Sequence, residues 1–115
     1  MLPKNFKAKH RYDLIRVGKD YDGGYAVERK SLYDAKSLIS MGVWIDWSFE
    51  EDFISRNFVR VNAYDHTITK SFWIKSTIRS FINLFRFKIN FSELISNILL
   101  YPKYLSFFNN KNNIH

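Results

Sequence analysis

Carboxylates and one histidine are concentrated in the middle of this 115-residue chain, where they could bind a polar ligand. Four of the acids surround the start of a predicted helix: Asp46, Glu50, Glu51 and Asp52. Asp65 ends the next predicted strand and is followed directly by His66. A carboxylate at such a strand end can accept hydrogen bonds from ribose hydroxyls, and the histidine could donate to a substrate or act as a base. The alternative is that the four acids complement the helix dipole and that His66 is an ordinary loop residue.

The rest of the sequence adds no complete catalytic motif to these groups. The three histidines, His10, His66 and His115, lack the spacing of metal ligands, and cysteine is absent. There is no P-loop, HExxH or GxSxG segment. We therefore assign no catalytic residue and no metal ligand from the sequence.

Residues 38–65 predict the strand, turn, helix and second strand that would position these groups. Leu38–Val43 is an apolar run interrupted by Gly42, which indicates a buried strand leading into a tight turn. Val59–Asp65 alternates apolar and polar residues, as is typical of a second strand. A βαβ unit with a glycine turn and a terminal acid can bind a nucleoside. Because Gly42 alone does not make the glycine-rich fingerprint, an ordinary structural unit is an equal alternative.

The helix between the two strands is predicted to begin at Ser48 and to end near Asn57. Ser48 has a small hydroxyl side chain, and Glu51 follows it at the spacing of a capping box. Trp44 and Trp47 lie in the turn before the helix. They could stack on an adenine ring or cover the edge of the sheet.

The N-terminal part predicts a β-hairpin after a polar leading segment at residues 1–11. Tyr12–Gly18 alternates as a strand does, and Asp22-Gly23-Gly24 supplies the positive φ angles of a tight turn. The bare glycine backbone of this turn could also approach a ligand closely. Ser31–Lys36 is a short polar connector that could form one helical turn.

The C-terminal part predicts two helices. Ser71–Lys88 has five apolar residues at helical spacing: Ile74, Ile78, Phe81, Ile82 and Phe85. Asn90 is a suitable N-cap for a second helix through Leu100, which Pro102 should end, and residues 109–115 are predicted to be loop. We expect the apolar side of this helical hairpin to pack on the sheet.

Net positive charge is concentrated in the second half of the chain. Residues 66–115 carry seven Lys or Arg against one acid, Glu93, whereas residues 1–65 carry eleven against ten. A basic, aromatic half could contact an anionic membrane surface through residues 71–100, a protein partner or an acidic substrate. The simpler interpretation is a solvated helical face. Specific nucleic-acid binding is disfavoured because the aromatic residues have helix-core spacing rather than the pattern of an exposed strand.

The composition is that of one small folded domain. Hydrophobic residues make up 46% of the chain and aromatic residues 18%, which excludes a disordered protein. The absence of cysteine excludes a disulfide framework and fits a reducing compartment. No apolar segment follows the charged N-terminus, and no run approaches the ~20 apolar residues of a membrane span. We therefore expect a cytoplasmic protein.

Five segments of the chain resemble, in their order, the N-terminal half of FkbM-type methyltransferase-like proteins. They are Arg16-Val17-Gly18, Asp22-Gly23-Gly24-Tyr25, Leu38–Val43, Asp46–Glu50 and Tyr64–Thr67. The resemblance covers about residues 12–70. It rests on the succession of the segments, since no single one of them is specific.

The resemblance implies a class I methyltransferase with S-adenosylmethionine as its cofactor. The implied cofactor pocket contains Gly42, Asp46, Ser48, Glu50, Asp65 and His66. Within it, Gly42 and Ser48 would form the cofactor loop and Asp65 would hold the ribose, while the turn at residues 22–25 would border the pocket. The family implies O-methylation of a glycan or another small molecule, in glycan or secondary-metabolite biosynthesis.

We therefore expect an α/β fold in two parts. Residues 1–70 would form a partial Rossmann-like sheet, composed of the hairpin and the βαβ unit, and residues 71–115 a basic helical hairpin. Members of the family continue into further strands, so the resemblance implies an incomplete domain that is marginally stable and inactive alone. The alternative is a small basic interaction module that binds an anionic membrane or a protein partner.

Overall fold

The computed structural model describes residues 10–109 and the backbone of residues 113–114. Its elements are β1 (Leu14–Val17), β2 (Tyr25–Glu28), α1 (Arg29–Asp34), β3 (Ser37–Met41), α2 (Ser48–Arg56), β4 (Arg60–Tyr64), α3 (Lys70–Phe85), α4 (Phe91–Phe108) and β5 (Asn113–Ile114). The predicted mixed α/β class is confirmed. The leading segment at residues 1–9 and the tail residues 110–112 and 115, on which sequence predictions were also made, lie outside the described residues.

The predicted N-terminal hairpin is confirmed. β1 and β2 pair in antiparallel fashion, with Leu14 opposite Glu28 and Val17 opposite Tyr25. A seven-residue loop, residues 18–24, joins the two strands, so the connection is longer than a simple Asp-Gly-Gly turn. α1 follows β2 directly and occupies most of the predicted polar connector.

The predicted βαβ unit is also confirmed. β3 and β4 are parallel, with Ser37 opposite Arg60 and Met41 opposite Tyr64, and α2 connects them. A parallel pair needs such a crossover because the chain must return to the end of the sheet at which β3 begins before it can enter β4. β5 pairs with the other side of β4, also in parallel, which gives the order β3-β4-β5. The prediction of loop at residues 113–114 is therefore wrong.

The start of α2 differs from the prediction in its capping. The N-cap residue is Trp47, whose side chain makes no capping hydrogen bond, and Ser48 is the first helical residue. The predicted capping box is absent because the Ser48 hydroxyl donates to the carbonyl of Gly23, 3.2 Å away, and the Glu51 carboxylate accepts from the Trp47 indole at 2.8 Å. Asn57 ends the helix as predicted.

Asn90 begins α4 as predicted. Its side chain accepts from the backbone N–H of Glu93 at 2.8 Å, and the Glu93 carboxylate accepts from the N–H of Asn90 at 3.0 Å, which completes a capping box. The predicted end at Leu100 is wrong, because the helix continues through Pro102 to Phe108. Tertiary packing of the last helical turns outweighs the local cost of the proline.

That packing forms the larger of two apolar clusters among residues 10–109. Its buried members come from the β3–α2 loop, β4, the segment before α3, and both long helices: Val43, Trp47, Ala63, Ile68, Trp73, Tyr104 and Phe108. Trp47 is at the centre, with ring centroids 5.9 Å from Tyr104 and 6.3 Å from Phe108. The smaller cluster joins β1, α1 and α2 through Val17, Leu32 and Phe53. The larger cluster thus includes residues from both sides of the boundary predicted at residue 70.

The apolar spacing on α3 correctly predicts a helix but not the side that is buried. Trp73 and Ser80 are the buried residues of α3. The five residues predicted to pack on the sheet are exposed instead: Ile74, Ile78, Phe81, Ile82 and Phe85. The expected packing of this apolar side is therefore wrong, because α3 contacts the rest of the protein through a different face.

Candidate functional site

A cleft of about 310 Å³ lies at the carboxyl end of β3, where a parallel sheet commonly receives its ligand. We call it the β3 cleft. Its lining comes from β3, the loop after it, the first turn of α2 and the hairpin: Asp22, Gly23, Tyr25, Ile39, Ser40, Met41, Gly42, Val43, Trp44, Asp46, Phe49 and Glu50. Three of the predicted pocket residues, Gly42, Asp46 and Glu50, are thus brought together.

Gly42 gives the chain its bend at the end of β3. Its φ is +69°, a conformation that costs residues with a Cβ about 1–2 kcal/mol. Its N–H donates to the carbonyl of Tyr64 at 3.0 Å, so the bend remains attached to β4. A Cβ built on Gly42 would have no heavy atom within 4 Å. The cleft therefore has an open wall at this glycine.

The hairpin loop at residues 18–24 contributes Asp22 and Gly23 to the lining of the cleft, and Arg16 organises this loop. The guanidinium group of Arg16 donates to three successive carbonyls, those of Lys19, Asp20 and Tyr21. Its Nη2 lies 2.7 Å from the Lys19 oxygen and 2.8 Å from the Tyr21 oxygen. These hydrogen bonds stabilise a loop whose carbonyl groups are not paired by the backbone hydrogen bonds of a β-ladder.

The same loop is attached to α2 at two points. The N–H of Gly18 donates to Asp52 Oδ2 at 2.8 Å, and the carbonyl of Gly23 accepts from the Ser48 hydroxyl. Gly23 has φ of +85°, and a Cβ built on it would lie 2.8 Å from Asp46 Oδ2. A larger residue at this position would displace the loop from the first turn of α2.

Asp46 is a polar corner of the β3 cleft. Its Oδ1 accepts from the N–H of Ser48 at 3.0 Å, and its Oδ2 lies 3.2 Å from Lys19 Nζ. Partial burial opposes ionisation, but the Ser48 hydrogen bonds together with the hydrogen bond and charge of Lys19 prevail and lower the pKa of Asp46. Asp46 is therefore ionised at neutral pH and forms an ion pair with Lys19.

Glu50 is the most buried carboxyl group of the cleft, with 5% of its surface exposed. The Ser40 hydroxyl of β3 donates to Glu50 Oε1. Burial raises the pKa of Glu50, since desolvation outweighs the hydrogen bond from Ser40. Glu50 can therefore hold a proton at a higher pH than Asp46 does.

Asp65 stabilises the β3–α2 loop. Its Oδ2 accepts from the N–H of Trp44 at 2.7 Å, and its Oδ1 accepts from the N–H of Thr67 at 2.8 Å and from the Thr67 hydroxyl. Trp44 has φ of 53°, so this bond holds a residue in an unfavourable conformation. The β3 cleft is not lined by Ser48, Asp65 or the exposed His66. Their roles in cofactor binding stay predictions.

The two tryptophans of the loop have separate positions. Trp47 is buried in the larger apolar cluster. Trp44 is 49% exposed, lines the β3 cleft, and contacts Phe72 with ring centroids 5.1 Å apart. Of the two, Trp44 is therefore the one with a ring surface that a planar ligand could reach.

Sequence reasoning did not assign a role to Ser40 or Arg16. Ser40 is the one polar side chain in the apolar run Leu38–Val43, which is the signal that could have indicated a buried partner such as Glu50. Arg16 has no comparable signal, because its three acceptors are backbone carbonyls of a loop whose path depends on the whole fold. In the described part of the chain, no three His, Cys, Asp or Glu side chains are placed to hold a metal ion.

No known protein family matches this chain, and neither a curated protein nor a solved structure is significantly similar to it.

Proposed function

We propose that residues 12–70 form the S-adenosylmethionine-binding part of a Rossmann-like methyltransferase fold of the FkbM type, which acts on a hydroxyl group of a glycan or another small molecule. The observation that carries the proposal is the β3 cleft. It lies at the carboxyl end of the first strand of a parallel βαβ unit and is lined by Gly42, Asp46 and Glu50. A cytoplasmic location belongs to the same proposal.

The chemistry of the lining supports this ligand. S-adenosylmethionine carries two cationic groups, a sulfonium and an ammonium, which would compete with the ammonium group of Lys19 for the Asp46 carboxylate. Its ribose hydroxyls are donors for a carboxyl oxygen of Glu50, and its adenine ring can stack on an aromatic face such as that of Trp44. The open wall at Gly42 permits close approach of the ligand to the backbone.

The cofactor supplies the reactive methyl group together with its leaving group. The contribution of the chain would be to orient the cofactor and to exclude water from it. Glu50 and Asp46 would fix the ribose and the cationic end, while the loop at residues 18–24 would close the side of the cleft. Asp65 would act through the loop, by keeping Trp44 in position.

Isothermal titration of the full chain with S-adenosylmethionine tests the proposal. We expect saturable binding that weakens about tenfold in Asp46→Asn, since the change removes a charge but retains an oxygen that can accept from Ser48. The matched control is Asp34→Asn, an exposed aspartate outside the cleft, which should bind as the unchanged protein does.

Adenosine and adenosine monophosphate serve as competitors in the same titration. The cationic groups of S-adenosylmethionine should make it the tighter ligand, since neither competitor has a cation that can replace Lys19 beside Asp46. The proposal is wrong if the folded chain shows no saturable binding, or if Asp34→Asn weakens binding as much as Asp46→Asn.

A further inference from the structure

The α3–α4 pair exposes an apolar surface that the rest of the protein does not cover. On α3, the stripe formed by Ile74, Ile78, Phe81, Ile82 and Phe85 has exposed fractions from 43% to 79%. We call these five residues the α3 stripe. Their spacing of four, three, one and three residues places them on one side of a helix with 3.6 residues per turn. An isolated exposed residue would need no explanation, whereas a continuous helical side does.

The second helix and the turn between the helices extend this surface. Phe91, Ile95 and Leu99 are exposed on α4 at intervals of four residues. Phe87, in the connecting turn, is 97% exposed and has φ of 53°, where a glycine or asparagine is the usual residue. A bulky aromatic side chain is thus displayed at the tip of the helical hairpin.

Basic residues follow one edge of the α3 stripe. Lys75, Arg79 and Arg86 each come directly after a stripe residue, so they lie about 100° further around the helix. All three are exposed. The sequence from residue 70 to residue 89 contains no acid. The apolar side and its basic edge together match the pattern of a helix that lies in the interface of an anionic bilayer.

A groove between the helices adds a polar feature to this surface. It has a volume of about 430 Å³ and is lined by Lys70, Trp73, Ile74, Thr77, Ile78 and Tyr101. The groove thus combines apolar walls with the ammonium group of Lys70, which can pair with the phosphate of a lipid headgroup.

We propose that the α3–α4 pair docks on the surface of an anionic lipid bilayer, with the α3 stripe and Phe87 among the acyl chains and the basic edge at the headgroups. Charge complementarity favours a bilayer over a protein partner, because a bilayer presents uniform negative charge along the whole length of the helix. The docking is peripheral. Within the described residues, no helix combines the length and apolar character that crossing a bilayer requires.

Co-sedimentation of the full chain with vesicles tests the proposal. The vesicles are pure phosphatidylcholine or phosphatidylcholine with about 30 mol% phosphatidylserine, at low salt and at about 0.5 M salt. We expect binding to the anionic vesicles that falls sharply at high salt and is weak on the neutral ones. Phe85→Ser should reduce the partition coefficient at least about fivefold, because it removes a large apolar side chain from the bilayer.

The chain offers matched controls for both parts of the surface. Phe58 lies outside the helices and is 77% exposed, close to the 79% of Phe85, so Phe58→Ser should leave vesicle binding unchanged. Arg79→Glu should weaken binding to the anionic vesicles, whereas Arg60→Glu, an exposed arginine of β4, should have a much smaller effect. Thermal melting of each variant establishes that it is folded.

Three results would overturn the proposal: no binding to the anionic vesicles, equal binding to the neutral ones, or equal losses in Phe58→Ser and Phe85→Ser. Sedimentation velocity of the same proteins detects a protein contact instead. A different outcome is that the chain fails to bind vesicles but self-associates, with Phe85→Ser abolishing the association. In that case the α3 stripe is an interface between copies of the chain and not a membrane-binding surface. Vesicle binding is independent of S-adenosylmethionine, so its failure would not affect the function proposed for the β3 cleft.

Discussion

Glu50 is a surface-type residue whose burial raises the pKa of its carboxyl group. The sequence places it correctly in the first turn of α2, together with other acids that complement the helix dipole. Its burial depends on the pairing of β3 with β4 and on the position of α2, which no local pattern encodes. The proximity of Gly42, Asp46 and Glu50 could be predicted, because a strand end and the next helix start are close in any βαβ unit. The contribution of Tyr25 from the hairpin could be suggested only by resemblance.

The raised pKa of Glu50, caused by burial, predicts a pH dependence of stability. A carboxyl group whose pKa is higher in the folded state than the ordinary value of 4.5 favours folding in its protonated form. The protonated Glu50 therefore contributes its full stability below pH 4.5, and this stability is lost as the pH rises through the pKa of the folded state. Glu50→Gln removes the titration but keeps an acceptor for Ser40.

Urea unfolding of both proteins between about pH 4 and pH 8 checks this prediction. The free energy of unfolding of Glu50→Gln, relative to the unchanged chain, should increase as the pH rises. A difference that is constant with pH for Glu50→Gln would contradict the prediction.

Helix boundaries were predictable where hydrogen bonds between near neighbours determine them, and not where tertiary packing does. The spacing of Asn90 and Glu93 predicted the start of α4, because the capping box is formed within one helical turn. The end of the same helix was missed, because Tyr104 and Phe108 pack on Trp47, which is distant in sequence. The side of α3 that is buried was missed for the same reason: periodicity identifies an apolar side but not its partner.

Pro102 should therefore reduce the stability of α4 although the helix accommodates it. A proline inside a helix has no N–H for the carbonyl four residues earlier, here that of Ile98, and costs about 3 kcal/mol relative to alanine. We expect Pro102→Ala to raise the free energy of unfolding by about 1–3 kcal/mol, measured by urea denaturation. The exposed neighbour Lys103 is the control, since Lys103→Ala should change it by less than about 0.5 kcal/mol. A destabilised Pro102→Ala protein would contradict the prediction.

The described part of the molecule is held together by two small apolar clusters rather than by one large core. The larger one joins the β3–α2 loop to β4, α3 and α4, and the smaller one joins β1 and α1 to α2. Trp47 occupies the larger cluster while its neighbour Ser48 bonds to the hairpin loop. The segment at residues 46–48 therefore connects the helical pair with the wall of the β3 cleft. The sequence predicted the strands and helices but not this connection. Both tryptophans lie in the same predicted turn, so no local pattern indicates which of them is buried.

Trp47 should accordingly be the residue whose truncation most affects the packing of the helical pair. Its side chain contacts three aromatic rings of α4: Tyr104, Phe107 and Phe108. We expect Trp47→Ala to lower the free energy of unfolding by about 3–5 kcal/mol, a large part of the stability of a small domain. Loss of the near-ultraviolet circular dichroism of these rings should accompany it. Trp44→Ala is the control, and its smaller buried surface predicts a loss below about 2 kcal/mol.

The hydrogen bonds that Asp65 accepts from Trp44 and Thr67 would affect both the rate and the affinity of ligand binding in the β3 cleft. They organise the turn after β3 during folding, so its conformational entropy is lost before any ligand arrives. The ligand proposed for the β3 cleft would then meet a preorganised wall, and less conformational entropy would be lost on its binding. Replacing Asp65 by a residue that cannot accept these hydrogen bonds would leave the turn in several conformations. Ligand binding would then slow, because only a fraction of the molecules would have the binding-competent turn at any moment.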